Sequence, residues 1–280
     1  MYLVTGASGN VGSLVVEQLL DAGHVVRAYV RTASKLAHLS GRIEIAVGDY
    51  ATPDAFSAAL EGVQGVFFMN IGGAESFGAL VERACACQVE RAVMLSTAMV
   101  EFLPETMLGR AHREKEDMLA AASLDARFVR PTGFMSNTLL WAPGIRADGV
   151  VANPMGTGRA APIAPEDIAA VAVRALTDPG LTEKAMLVTG AETISVPEQV
   201  ALLAQALGRP LRCMDITLDQ AVENLTQAGV PQQVAASIVK SYASVREGRS
   251  AVTSETVERI LGRKPLRFEQ WVKMHADRFR

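Results

Sequence analysis

Three glycines near the start of the chain could bring the backbone against a phosphate group. They are Gly6, Gly9 and Gly12 in TGASGNVG, spaced Gly-x-x-Gly-x-x-Gly. Gly6 permits a tight turn, Gly9 lets the backbone approach a pyrophosphate, and Gly12 lets a helix pack closely on a strand. A helix that begins here would direct N–H groups and its positive dipole end at phosphate. The segment therefore predicts dinucleotide binding rather than an ordinary strand–helix turn. The expected contacts are Gly6, Ser8, Gly9, Asn10, Val11 and Gly12.

The end of the second predicted strand indicates which dinucleotide is bound. An acidic residue there would bind a ribose 2′-hydroxyl, but this chain has Arg31, with Lys35 shortly after it. A guanidinium fits the oxygens of a 2′-phosphate, so NADP(H) is favoured, with NAD(H) as the alternative. Arg31 could also be a solvated surface residue.

Further candidates follow later strands, because the carboxyl ends of parallel strands face the ligand crevice. Asp49 could bind the adenine amine, or it could cap the next helix. Tyr50 stands beside Asp49 at the end of the third strand. Met69, Asn70, Ser96 and Thr97 are expected to line the crevice near the nicotinamide ribose. The set comprises Asp49, Tyr50, Met69, Asn70, Ser96 and Thr97.

The alternation of strands and helices along the sequence predicts the fold that positions these residues. Six apolar segments alternate with amphipathic helices, which indicates a Rossmann-type, doubly wound parallel α/β sheet. The segments are MYLVT, HVVRAYVR, IEIAVGD, GVFFMN, RAVMLST and ARFVRP, with KAMLVTG as a later strand. Thr52 is expected to cap the helix after the third strand. We expect residues 1–150 to bind NAD(P), with additions from 166–190. Residues 151–280 are expected to form mostly a smaller, mainly helical part that covers the substrate.

Composition excludes several classes of function. The chain has 280 residues, 49% of them hydrophobic, with a net charge of −3 and no basic stripe, so nucleic acid is not an expected partner. Apolar runs are too short to span a membrane. Cys85, Cys87 and Cys213 suit neither a disulfide framework nor a metal site. The chain opens directly into a strand, which predicts a cytoplasmic protein, either a monomer or a homodimer.

Four separated blocks resemble the NmrA-like branch of the atypical short-chain dehydrogenases/reductases. They are TGASGNVG, AHREKEDMLAAASLDARFVRPTGFMSN, PIAPEDIAAVAVRAL and GRKPLRFEQWVKMHADRF. The resemblance implies NAD(P) bound across the first six strands, under a smaller C-terminal part. Some members of this branch are NAD(P)H-dependent reductases of quinones, triphenylmethane dyes or other aromatic compounds, and a few tailor natural products. Others are redox-sensing regulators that bind the dinucleotide without turning it over.

The chain lacks the Tyr-x-x-x-Lys pair of typical short-chain dehydrogenases, because none of its four tyrosines has a lysine four residues later. His112 and Glu116 are spaced to share one helical face and resemble a His…Glu pair of the family. His112 could be a general acid. Glu116 could orient it or bind backbone in the loop after the sixth strand. The alternative is a surface pair on a highly charged helix. Ser96 could polarise the substrate or bind backbone at its strand end.

The resemblance also implies that the turn after the sixth strand holds the nicotinamide through backbone groups. That turn is Pro131, Thr132, Gly133 and Phe134. A wall for a flat apolar substrate is expected from Phe134, Asn137 and Trp141, with core packing as the alternative.

These features predict an NAD(P)H-dependent oxidoreductase that acts on an aromatic, quinone-like or polycyclic small molecule. Quinones need little acid catalysis, so the missing Tyr-x-x-x-Lys pair is tolerable. An oxygenating variant of a natural-product tailoring enzyme is a further option. The alternative is a non-catalytic NmrA-type dinucleotide sensor. The missing tyrosine disfavours an isomerase or a dehydratase.

Overall fold

The computed structural model describes residues 1–50, 53–70 and 72–280. Its strands are β1 (Tyr2–Thr5), β2 (Val26–Val30), β3 (Glu44–Val47), β4 (Gly65–Phe68), β5 (Arg91–Leu95), β6 (Asp125–Pro131), β7 (Val150–Asn153), β8 (Arg159–Ala160), β9 (Ala185–Val188), β10 (Ile194–Ser195) and β11 (Arg212–Asp215). Seven of them form one sheet in the order β3-β2-β1-β4-β5-β6-β9, and neighbouring strands run parallel. The predicted Rossmann-type parallel sheet is therefore confirmed.

Helices alternate with the strands of the large sheet and dominate the C-terminal third of the chain. The α-helices are α1 (Gly12–Asp21), α2 (Pro53–Ala59), α3 (Ala74–Ala86), α4 (Met99–Phe102), α5 (Met107–Ala120), α6 (Ala142–Asp148), α7 (Pro165–Thr177), α8 (Val196–Leu207), α9 (Leu218–Gln227), α10 (Gln232–Arg246), α11 (Thr256–Leu261) and α12 (Phe268–His275). Short 3-10 helices cover Ala33–Leu39, Met135–Trp141 and Ala276–Phe279. The predicted cap Thr52 lies outside the described residues.

The chain divides into two units. The first contains Met1–Val100, Arg110–Pro131 and Pro165–Leu187, and the second contains Glu101–Gly109, Thr132–Ala164 and Val188–Arg280. Residues 132–150, which the sequence groups with the dinucleotide-binding part, lie in the second unit.

The core of the first unit lies around the central strands. Every residue of β1 and β4 is buried, as expected of strands covered by helices on both faces. Helix α1 contributes the buried residues Val15, Val16 and Leu19, which recur at helical spacing. Strand β3 at the sheet edge is partly exposed along its length. The central strands are therefore the rigid elements from which the site loops emerge.

An ion cluster around Asp125 fixes the start of β6 beside its neighbours. The carboxylate accepts hydrogen bonds from Arg91 at 2.8 Å and from Arg127 at 2.9 Å, and it pairs with Lys184. Burial alone would raise the pKa of Asp125, but these three cations outweigh it and hold the pKa well below its usual range. These ion pairs therefore align β5 and β6 together with the backbone hydrogen bonds between the two strands. Ser96 directly follows β5, and Arg130 lies on β6.

The second unit has its own core and two small sheets. Strand β11 pairs in parallel with β7, and β10 pairs antiparallel with β8. The core contains Trp271, Phe268 and Phe279, all at most 1% exposed. Ser195 and Glu198 form a capping box at the start of α8. Residues 216–280 are mostly helical.

The sequence predicts neither a membrane-spanning helix nor a disulfide framework. Among the described residues, no helix combines the length and apolar character that are needed to cross a bilayer. The three cysteines are free thiols, and Cys87 is exposed at the end of α3.

Candidate functional site

The glycine loop has the geometry that its spacing predicts. Gly6 adopts a φ of +61°, which favours glycine, and its carbonyl oxygen accepts a hydrogen bond from the Gly9 N–H at 2.8 Å. A Cβ on Gly12 would lie 2.2 Å from that oxygen, and one on Gly9 would lie 3.1 Å from it. No side chain fits at Gly12, so helix α1 and the turn approach each other as closely as backbone allows.

The start of α1 suits an anion. Val11 stands at the N-cap position and makes no side-chain cap, and the first turn carries no acidic residue. The first N–H groups of a helix lack partners within the helix, and its dipole favours negative charge there. Ser8 and Asn10 on the same loop are exposed, whereas Val11 is buried. These features fit a pyrophosphate held by backbone donors.

The residues expected to select the dinucleotide lie at the neighbouring strand end. Arg31 immediately follows β2, which pairs with β1. Arg31 and Lys35 are both exposed. The structure therefore leaves both cations accessible at the carboxyl edge of the sheet.

Asp49 and Tyr50, the two candidates after β3, differ in exposure. Asp49 is exposed, and its carbonyl accepts a hydrogen bond from the Tyr29 hydroxyl at 3.1 Å. Tyr50 is only 8% exposed, and its ring lies parallel to that of Tyr29 with centroids 6.3 Å apart. Burial raises the pKa of the Tyr50 phenol. The Tyr50 ring belongs to the core of the first unit, and a cofactor contact of Tyr50 stays a prediction.

Thr5 connects the two strands at which the strand order reverses. Its hydroxyl donates to the Phe67 carbonyl at 3.0 Å and accepts from the Met69 N–H at 2.9 Å. Ligands of such sheets bind at this reversal, here between β1 and β4. Thr5 was not among the predicted site residues. Its position just before the glycine loop was the available signal.

Lys115 on α5 is a second residue that sequence reasoning missed. Its side chain is buried, and its ammonium donates to the Asn70 side-chain oxygen and to the Gly72 carbonyl, the latter at 2.7 Å. Asn70 follows β4 at the reversal point. The charged segment around Lys115 suggests a solvated helix face. The available signal was its spacing of four residues from the fully buried Leu119.

Glu116 is buried among polar side chains. It is 1% exposed, and its carboxylate accepts hydrogen bonds from Arg130 at 2.9 and 2.5 Å and from the Ser96 hydroxyl at 2.5 Å. Arg113 lies 3.4 Å away. The surface-pair alternative is wrong for Glu116, because its carboxylate is buried, and the expected roles of Glu116 toward His112 and toward the loop after β6 stay predictions. Ser96 donates to this carboxylate rather than to a strand-end carbonyl.

Three other candidate residues lie close in sequence to members of this cluster. His112 is half-buried on α5, one turn before Glu116. Thr97 is half-buried directly after Ser96, and its hydroxyl accepts from the Met99 N–H at 3.3 Å. The Pro131 carbonyl accepts from the Ala98 N–H at 2.9 Å. The role of His112 as a proton donor stays a prediction.

The remaining candidates belong to the second unit, where backbone bonds hold the turn after Pro131. The Thr132 N–H donates to the Val188 carbonyl at 3.1 Å, and its hydroxyl donates to the Ala161 carbonyl at 2.6 Å. The Gly133 carbonyl accepts from the Ile163 N–H at 2.9 Å. This pairing fixes the backbone that the resemblance assigns to the nicotinamide.

The three residues of the expected substrate wall differ in exposure. Phe134 is half-buried, and Asn137 is exposed. Trp141 is half-buried and packs against the core of the second unit, which favours the core-packing alternative for its ring. Met135 is 2% exposed in that same core.

Comparisons with known proteins agree with this geometry. Residues 6–179 match a family described as NAD(P)H-binding. The chain is 39% identical over 281 residues to a (4-alkanoyl-5-oxo-2,5-dihydrofuran-3-yl)methyl phosphate reductase of Streptomyces griseus, covering 100% of this chain and 99% of the relative. It is 35% identical to an NAD(P)H azoreductase of Xenophilus azovorans, covering 100% and 99%.

A solved structure shares the fold. It is an NADPH-dependent quinone oxidoreductase from Escherichia coli complexed with NADPH, with a TM-score of 0.85, 23% identity, and coverage of 98% of this chain and 99% of the other. The glycine loop, the strand order and these matches lead to one assignment. The chain belongs to the NAD(P)H-binding family, in the NmrA-like branch of the atypical short-chain dehydrogenases/reductases.

Proposed function

We propose that the chain is an NAD(P)H-dependent oxidoreductase that reduces an aromatic, quinone-like or polycyclic small molecule. The observation that carries the proposal is the contact between Gly6 and Gly12, which leaves a side-chain-free cradle at the start of α1. Backbone approach of this kind is what a pyrophosphate needs. Two relatives above 30% identity are both named as reductases, which supports a catalytic role.

The chain's own residues supply binding, orientation and a proton. The dinucleotide, when bound, supplies the hydride. Loop residues 6–12 hold its pyrophosphate, and Arg31 binds a 2′-phosphate. His112 donates a proton to the oxygen that gains negative charge during reduction. No Tyr-x-x-x-Lys pair exists to do so. Because an aromatic ring stabilises the reduced oxygens, close placement of donor and acceptor supplies most of the rate.

The proposal is tested by NADPH and NADH consumption against a panel of quinones and polycyclic phenols, with an oxygen electrode in the same cell. Turnover above the rate without enzyme is the expected result, and matching oxygen uptake would identify an oxygenating variant. No turnover, with dinucleotide binding shown by a thermal shift, would contradict the reductase. That result would support the sensor, which the missing Tyr-x-x-x-Lys pair favours. The cytoplasmic location and the monomer or homodimer state stay predictions.

Replacement of Arg31 by alanine tests the preference for NADP(H). We expect the Kd for NADPH to rise about tenfold or more, because a charge-assisted bond to a phosphate is worth about 1.5–3 kcal/mol. The Kd for NADH should change little. Titration of each dinucleotide by calorimetry gives both values. Arg42→Ala, at another exposed arginine after β2, is the matched control. An equal loss for both dinucleotides would show that Arg31 does not bind the 2′-phosphate.

A further inference from the structure

Lys115 is placed where a lysine rarely lies. It is 4% exposed on α5, although a lysine side chain normally extends its ammonium into water. The ammonium donates to Asn70 Oδ1 and to the Gly72 carbonyl at 2.7 Å, and it lies 5.7 Å from the centre of the Phe77 ring. All four residues belong to the first unit. The ammonium is therefore held by neutral oxygens and a ring face.

The electrostatics of this placement are unfavourable for folding. Burial lowers the pKa of Lys115, and the charge of Glu114 opposes that only in part. Among the described residues, no carboxylate lies within ion-pair distance of the ammonium. A buried charge without a counter-charge destabilises a fold. Groups perturbed in this way concentrate at functional sites.

The consequence for Asn70 follows from donor and acceptor chemistry. A lysine ammonium has three donors and no acceptor, whereas an asparagine amide has one oxygen acceptor and an NH₂ group with two donors. The ammonium can therefore engage only Oδ1. A flipped amide would place its NH₂ group against the cation. Lys115 thus fixes the orientation of the Asn70 amide through electrostatics.

Asn70 lies at the edge of the sheet where a bound dinucleotide is expected. It directly follows β4, at the carboxyl edge where the strand order reverses beside the glycine loop of β1. The second bond of Lys115 holds the Gly72 carbonyl, and Gly72 adopts a φ of +76°. One side chain therefore binds both the Asn70 amide and the Gly72 carbonyl.

We propose that Lys115 is a positioning residue of the dinucleotide site, which fixes the Asn70 amide so that its N–H donors serve an oxygen acceptor of the bound dinucleotide. The inference rests on the dinucleotide binding of the proposed function and not on turnover. Its test uses binding alone, so a failure of the reductase proposal would leave the test unaffected.

A double-mutant cycle on the full-length protein tests the inference, with NADPH binding measured by calorimetry. Lys115→Met and Asn70→Ala should each raise the Kd about tenfold, which is the size of one hydrogen bond. The double variant should bind no more weakly than Asn70→Ala, because Lys115 acts through that amide. Lys273→Met, at an exposed lysine of α12, is the matched control. Independent losses that multiply in the double variant, or an unchanged Kd for Lys115→Met, would overturn the inference.

Asn70→Asp provides a second variant whose fold is secured. The new carboxylate pairs with the Lys115 ammonium, so the melting temperature should stay equal or rise. An ionised carboxylate only accepts hydrogen bonds, so the Kd for NADPH should still rise about tenfold. This variant tests the donor role of the Asn70 amide, whereas Lys115→Met tests its positioning by the ammonium. Wild-type affinity in Asn70→Asp would therefore contradict the inference.

Discussion

The Gly12→Ala variant should lose dinucleotide binding while it remains folded. The added Cβ would lie 2.2 Å from the Gly6 carbonyl oxygen and 3.2 Å from the Ala7 Cα, so the contact cannot be relieved by a side-chain rotation. Helix α1 must then move away from the turn, and its N–H groups no longer converge on the phosphate position. We expect the Kd for NADPH to rise at least about 100-fold, as for the loss of two charge-assisted hydrogen bonds. Calorimetric titration of NADPH measures it.

Gly78→Ala is the matched control for that substitution. A Cβ there has the Met118 sulfur at 3.7 Å as its nearest neighbour, an ordinary contact, and Gly78 lies inside α3. Alanine in a helix interior is favoured over glycine by about 0.5–1 kcal/mol, so this variant should bind NADPH normally and melt no earlier. Wild-type affinity in Gly12→Ala would show that the loop does not hold the pyrophosphate.

The architecture of the first unit could be predicted because its signals are local. Strands such as MYLVT and GVFFMN are continuous apolar runs between turn residues, and each is followed by a helical period. The small sheets of the second unit were not predicted. Strand β8 has two residues, Arg159–Ala160, and pairs with Ile194–Ser195 more than thirty residues later. A strand of that length has no period to detect.

The site could be predicted only where its chemistry lies within one segment. The glycine loop is such a case, because Gly6 and Gly12 contact each other across six residues. The charged helix HREKED is the opposite case. Its pattern indicates a solvated face, yet Lys115 and Glu116 are buried, because their partners Gly72 and Arg130 lie outside this helix. Partners at long sequence separation override local polarity, and one sequence does not reveal them.

Glu116→Gln should destabilise the protein without removing a catalytic acid or base. The Arg130 guanidinium, 9% exposed, would lose the carboxylate that neutralises it, and the amide NH₂ of the new side chain would face cationic donors. Breaking a buried ion pair from one side costs about 3–5 kcal/mol. We expect the free energy of unfolding to fall by about that amount in urea denaturation. Asp117→Asn, an exposed carboxylate on the same helix, is the matched control.

The cause of that loss can be isolated with a second substitution. Arg130→Met combined with Glu116→Gln removes the buried cation as well, so part of the lost stability should return, because apolar groups often replace a buried ion pair with little cost. The pH dependence of kcat in Glu116→Gln should keep the wild-type shape, since the carboxylate binds Arg130 and Ser96 in the folded protein. A stable Glu116→Gln variant that has lost one limb of the pH–rate profile would instead identify Glu116 as an acid or base in the reaction.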